Sequence, residues 1–203
     1  MIAVVDYGMG NRRSVEKALE HVGAEVCVSG DPDTLRAAAG LVVPGVGAFP
    51  KAMQRLRRGG LDGLICERVE SGVPTLGICL GMQLAFERSS ELGGADGLGI
   101  LPGAVRALEP GKGLKLPHIG WNQVSWTRPS PLHEGLPDDC AFYHVHSFAC
   151  EPLQPALGIV EYGERFASAV SYGSFFGVQF HPEKSSVHGL RLLANFAAIC
   201  AAT

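Results

Sequence analysis

Hydrophobic positions fall into two regimes along this chain. Up to about residue 90, short unbroken apolar runs at 2–5, 41–43 and 74–78 have the length and β-branching of strands covered on both faces. A weaker run at 25–28 reads as one more strand. Between them, helical patterning covers 12–22, 32–39, 50–58 and 61–71, the first segment opened by Asn11 as N-cap and stopped by Gly23. Pro44 ends the third strand abruptly, and a further helix opens at Cys79 or Leu80, directly after the fourth. Strands alternating with helices predict an open parallel sheet with helices on both faces, whose ligand crevice lies at the carboxyl ends of the strands.

Past Arg88 the regime changes. Gly93, Gly94, Gly97, Gly99 and Gly103 punctuate a loop-rich stretch, and alternating runs at 120–127, 141–150 and 168–180 predict antiparallel or mixed strands. Leu190, Leu193, Ala194 and Ala197 recur at helical spacing in a closing helix over 185–199. No repeat, low-complexity tract or linker breaks the chain. The expected fold class is therefore α/β: one domain over 1–203, with an open, mostly parallel central sheet flanked by helices and an antiparallel extension in the C-terminal half.

Composition adds bounds to this picture. A chain of 203 residues, 46% hydrophobic and 18% charged, buries enough surface to need no disulfide or metal staple. Its 27 glycines are a high share, which predicts tight turns and close backbone approaches. The net charge of −3 gives no reason to expect a nucleic-acid partner. Lys51, Arg55, Arg57 and Arg58 form the one basic cluster, either a solvated helix face or a basic rim at a partner interface. No signal peptide and no membrane-length apolar run are present, so a cytoplasmic location is expected. The cysteines (Cys27, Cys66, Cys79, Cys140, Cys150 and Cys200) are scattered without metal-ligand spacing, and core filling is the default reading of each.

Cys79 departs from that default. In Pro74-Thr75-Leu76-Gly77-Ile78-Cys79-Leu80-Gly81-Met82-Gln83 an apolar strand runs into Gly-x-Cys-x-Gly and then a helix-compatible sequence. This is a cysteine version of the nucleophile elbow, in which flanking glycines relieve crowding and a helix N-terminus favours thiolate. A buried cysteine between two packing glycines is the alternative. A base is supplied by Phe175-Phe176-Gly177-Val178-Gln179-Phe180-His181-Pro182-Glu183, where an apolar strand delivers His181 to the same edge of the sheet. Pro182 keeps His181 extended, and in extended chain Glu183 faces the same side. The expected catalytic set is Cys79, His181 and Glu183, with Glu183 orienting the imidazole. Backbone N–H groups of Leu80 and of the Gly45, Val46 and Gly47 loop are the expected oxyanion donors, unless that loop is an ordinary glycine-rich turn. His144 and His146 share one strand face, but no third ligand accompanies them, so no metal is expected. Gly8-x-Gly10 after the first strand lacks the third glycine of a dinucleotide loop, because Arg13 stands there. No cofactor is expected.

With these residues in the order Cys, His, Glu, the whole chain resembles the class I (triad-type) glutamine amidotransferases. Within the class it is most similar to the glutaminase subunits of imidazole glycerol phosphate synthase, from histidine biosynthesis. The similarity rests on Asp6 to Asn11, Pro44 to Phe49, Gly77 to Gln83, Leu116-Pro117-His118-Ile119-Gly120-Trp121-Asn122, Val145-His146-Ser147 and Gln179 to Ser186. The resemblance implies a flavodoxin-like sheet and glutamine hydrolysis through a γ-glutamyl thioester on Cys79. It implies substrate contacts from Gln83, Glu91, His146, Ser147 and Phe148, and an interface that includes Asn11, Arg13 and Lys184. The partner it implies is a (β/α)₈ cyclase subunit, forming a heterodimer that receives ammonia through a tunnel. The glutaminase features account for every segment, so the ammonia acceptor is expected on another polypeptide. The sequence departs from the pattern at His144, where an aromatic is usual, and at Arg12, where leucine is usual. A glutaminase serving a different synthase and a stand-alone cysteine hydrolase are the competing readings; a non-catalytic binding subunit is opposed by the intact Cys79, His181 and Glu183.

Overall fold

The computed structural model describes residues 1–109, 111, 113–151 and 156–202. Its first half follows the predicted alternation: β1 (Ile2–Val5), α1 (Arg12–His21), β2 (Val26–Ser29), α2 (Pro32–Ala37), β3 (Gly40–Gly45), α3 (Phe49–Arg58), α4 (Leu61–Glu70), β4 (Thr75–Cys79) and α5 (Leu80–Leu84). Then come β5 (Phe86–Ser89), β6 (Ala95–Asp96), β7 (Leu101–Ala107), β8 (His118–Trp126), β9 (Asp139–His146), β10 (Phe148–Cys150), β11 (Ala156–Glu161), β12 (Arg165–Tyr172), β13 (Phe175–Val178) and α6 (Ser186–Ala201).

β2, β1, β3, β4 and β13 lie side by side and parallel. Beyond them β12 runs antiparallel to β13, and there the sheet branches. One branch continues through β10, β7, β5 and β6; the other through β11, β8 and β9. The apolar runs predicted as doubly covered strands are buried at every residue in β1, β3 and β4. Two hydrophobic clusters result, one on each face of this single sheet. One is built around Phe49, Met53, Leu56 and Phe86, the other around Leu19, Phe142, Phe180 and Phe196. Among the described residues no helix is long and apolar enough to cross a membrane.

Several local expectations are corrected. β3 continues through Pro44 to Gly45, pairing Pro44 with Ile78 and Gly45 with Cys79. The ladder with β1 ends at Val42, so a proline that donates no hydrogen bond costs no pairing on that side. Asn11 stands at the N-cap position of α1 but makes no capping bond, its backbone at φ −87° and ψ 62° lying outside the usual extended cap geometry. The helix after Cys79 is only five residues long. β6 and β7 occupy the glycine-rich stretch expected to be loop, β5 lies at its start, and β11 lies where no element was expected.

Candidate active site

β4 turns into α5 at Cys79 itself, without a connecting loop, and that residue adopts φ 53° and ψ −110°. Positive φ in a residue with a Cβ is strained, and such strain persists only where the surroundings impose it. The two glycines of the motif are what permit the turn. A Cβ on Gly77 would stand 2.7 Å from the Gly81 carbonyl, and one on Gly81 would stand 1.8 Å from the Val43 oxygen. The cysteine sulfur is thereby carried to the C-terminal edge of the sheet and into the wall of a cavity of about 350 Å³. Of the other five cysteines, all free, Cys140, Cys150 and Cys200 are buried core filler while Cys27 and Cys66 are half-buried; burial raises each thiol, Cys200 to about 12.

β13 lies beside β4 with Val178 opposite Ile78, so the residues that follow it emerge next to Cys79. The His181 N–H donates to the Tyr143 carbonyl at 2.9 Å and Ser185 Oγ donates to the His181 carbonyl at 2.6 Å, which fixes the backbone carrying the ring. Nδ1 of His181 donates to Oε1 of Glu183 at 2.9 Å, with both side chains at most 2% exposed. The contact is made by another route than the extended chain expected from sequence. Residues Pro182–Lys184 form a 3₁₀ turn that folds the carboxylate back onto the ring. Nε2 of His181 is buried and has no hydrogen-bond partner, while the Cys79 thiol points at the Val145 carbonyl, 4.0 Å away. Burial alone would lower the imidazole pKa. The Cys79 sulfur and then the Glu183 carboxylate outweigh burial and raise it to about 9. The sulfur lies close enough to act on the ring although Nε2 has no aligned hydrogen bond, a looseness common in unliganded catalytic pairs.

The expected oxyanion loop lies beside the elbow. Val46, Gly47 and Leu80 line the cavity; Gly45 packs behind them, close to Leu80 and the Tyr7 hydroxyl. That hydroxyl donates to the Pro44 carbonyl at 2.6 Å, and burial holds the phenol protonated. Gln83, Glu91, His146, Ser147 and Phe148 all line the same cavity, together with Pro117 and Val145. Glu91 accepts from the Phe49 N–H at 2.7 Å, which ties it to the start of α3. Asn11, Arg13 and Lys184 lie in segments at the C-terminal ends of β1 and β13, on the side of the sheet where the cavity opens. Lys184 holds its ammonium 6.0 Å over the Tyr143 ring, and Arg12, the departure from the usual leucine, pairs with Asp6. The basic cluster on α3 is partly structural, since Arg55 donates to the Gly8 carbonyl and Arg57 to the Asp96 carbonyl.

Three contributors were not anticipated: Tyr7, His118 and Gln179. His118 lies against His146 (Nδ1 to Nε2, 3.1 Å) and stacks on His144 with centroids 5.0 Å apart. It is the third histidine the sequence did not reveal, yet the cluster is a hydrogen-bonded layer rather than a ligand set. His144 contacts the Phe142 carbonyl and Ser168, and His146 contacts the Phe148 carbonyl. Among the described residues no group suited to a metal ion is found. Gln179 is fully buried beside Cys79, and one signal did point to it. It is polar within an otherwise apolar strand end, where an amide demands partners.

Comparison with known proteins places this geometry in context. The family model for glutamine amidotransferase class-I matches residues 3–200. The chain is 50% identical over 200 residues to the imidazole glycerol phosphate synthase subunit HisH of Moorella thermoacetica, covering 98% of this chain and 94% of that protein. It is 51% identical over 205 residues to subunit HisH 1 of Pseudomonas aeruginosa, covering 97% and 96%. Solved structures share the fold at lower identity. A glutamine amidotransferase superposes with a TM-score of 0.77 at 20% identity over 98% of both chains. PurLQS from Thermotoga maritima superposes at 0.76 and 19%, over 98% of this chain and 97% of that one.

Proposed function

The chain belongs to the class-I glutamine amidotransferases, and from that premise we propose that it is the glutaminase subunit of an imidazole glycerol phosphate synthase. Glutamine enters the cavity beside the elbow. Cys79 gives its proton to His181, and the sulfur attacks the side-chain amide carbon while Leu80 and the Gly45–Gly47 loop take the oxyanion on backbone N–H groups. The tetrahedral species collapses as His181 protonates the departing nitrogen, leaving a γ-glutamyl thioester and ammonia. Water then attacks the thioester, with His181 as base and Glu183 holding the ring, and glutamate is released. Gln83 spends both amide hydrogens on Phe148 and Gln179, so it presents an acceptor oxygen to a ligand. The ammonia passes to a (β/α)₈ cyclase subunit docked over the C-terminal edge, with Asn11, Arg13 and Lys184 in the contact, and the cyclase makes imidazole glycerol phosphate.

The observation that carries this reading is the strained Cys79 in the wall of the cavity, with the buried His181–Glu183 pair behind it. The test is transfer of labelled ammonia from glutamine, with and without a cyclase subunit and its nucleotide ligand. The isolated chain should hydrolyse glutamine slowly and the complex should be strongly stimulated. Cys79→Ala should abolish glutamine use while the complex still accepts free ammonium. Equal turnover with and without the cyclase refutes the coupling, and activity surviving in Cys79→Ala refutes the nucleophile.

A further inference from the structure

The elbow helix α5 has only five residues, so few aligned peptide dipoles face the sulfur, and another source of stabilisation for its charge is needed. Gln179 supplies one. Its side chain is wholly buried, Oε1 accepts from Gln83 Nε2 at 2.9 Å, and Nε2 lies 3.6 Å from Cys79 Sγ as a donor.

Which end of that amide faces the sulfur is decided two residues away. The Phe148 carbonyl can only accept, so the nitrogen of Gln83, 2.9 Å from it, must face it. The second N–H of Gln83 then points at Gln179, which must answer with its oxygen. The nitrogen of Gln179 is left facing Cys79. Flipping either amide sets oxygen against oxygen or nitrogen against nitrogen at a buried contact. The anchor itself is held by the histidine layer. Nδ1 of His146 donates to the same carbonyl at 2.8 Å, Nε2 of His146 accepts from His118, and His118 accepts from Asn122. Burial lowers His146 to about 3 and His118 to about 4, so both rings stay neutral and each keeps a single donor–acceptor polarity.

We propose that Gln179 is a further catalytic residue, whose amide N–H, oriented through Gln83 by the Phe148 carbonyl, stabilises the negative charge on the Cys79 sulfur. It acts at two moments. When the thiol proton passes to Nε2 of His181, the N–H faces the thiolate that forms. When the thioester breaks, the C–S electron pair returns to the sulfur and the same N–H receives it. Hydrogen bonds to charged groups are the strong ones, and this one is sheltered from water.

The inference rests on Cys79 being the nucleophile, and the test separates the two. Alkylation of Cys79 by iodoacetamide is followed across pH by peptide mass spectrometry, in wild type, Gln179→Met and Gln83→Met. Neither alkylation nor its pH dependence requires glutamine binding. Gln179→Met keeps the volume and removes the donor. The pH of half-maximal alkylation should rise by about one to two units, and kcat/KM for glutamine should fall about 10- to 100-fold. Gln83→Met frees the Gln179 amide from its anchor and should shift the profile in the same direction, which keeps the idea testable if the first variant folds poorly. An unchanged alkylation profile in either folded variant, with activity reduced, assigns Gln179 to packing and overturns the proposal. Cys79→Ala retaining glutaminase activity overturns the reading beneath it instead.

Discussion

Once the thiol proton has passed to it, His181 keeps a proton that most histidines lose at neutral pH, because the sulfur and the Glu183 carboxylate together outweigh its burial and raise it to about 9. In that form it can protonate the leaving nitrogen. kcat/KM for glutamine should therefore decline as pH rises through about 9, and a profile still flat at pH 10 would contradict this assignment. The sulfur is the larger of the two raising influences, so an NMR titration of the His181 ring in Cys79→Ala should move to lower pH. A raised histidine pKa also contributes stability that is complete below about 6.5 and lost as pH passes through about 9. Glu183→Gln keeps the shape and loses the carboxylate, and kcat should drop by about 10²- to 10⁴-fold with little change in KM. At this scale the reacting groups were legible, because a cysteine between two glycines and a His-Pro-Glu at a strand end are strongly typed. Gln179 and His118 were not, since their roles depend on which amide or ring lies opposite, and that is fixed by tertiary packing.

The elbow is an element that tolerates almost no added volume. The Gly81 Cα faces the Val43 oxygen, so Gly81→Ala must push α5 away from β3, and Gly77→Ala must displace the first turn of α5. Overpacking typically costs about 1–3 kcal/mol, and contact with rigid backbone should place Gly81→Ala at or above the top of that range. Thermal unfolding compared with Gly63→Ala in α4, where an added Cβ meets nothing within 4 Å, checks this; equal melting temperatures would show that the turn is not what excludes side chains. The parallel strands and their helices could be read from sequence because burial on both faces leaves unbroken apolar runs. β7 could not: it carries Pro102 and Gly103 and has only two buried positions, so its pattern resembles loop. β11 is buried over five of its six residues but pairs through register shifts near Gly158, and no alternation marks it.

Across the whole molecule, the branch at β12 sends β11, β8 and β9 out as a second wing, and a layer of buried histidines helps hold that wing in place. His118 from β8 faces His144 and His146 from β9, Ser168 from β12 is hydrogen-bonded to His144, and Tyr162 stacks on His118 at 4.0 Å. All three imidazoles are lowered by burial, His118 to about 4, His146 to about 3 and His144 well below the usual histidine range. The unfolded chain binds these protons near pH 6.5 and the folded chain does not. Their neutrality therefore contributes stability above about 6.5 that is lost as pH falls towards 4. Acid should loosen this protein well before its carboxylates titrate. The site would be affected at once, because His146 anchors the carbonyl on which Gln83 depends. His144→Phe, which restores the aromatic usual at this position in the family, removes one of the three protons taken up on unfolding. Its unfolding free energy should fall less steeply between pH 6 and 4.5, by about 1.4 kcal/mol per pH unit relative to wild type, even if it is less stable at pH 7.5 for want of the Ser168 contact. Denaturant unfolding at a series of pH values measures that slope directly. Parallel slopes for the two proteins would mean that the histidine layer is not what limits acid stability.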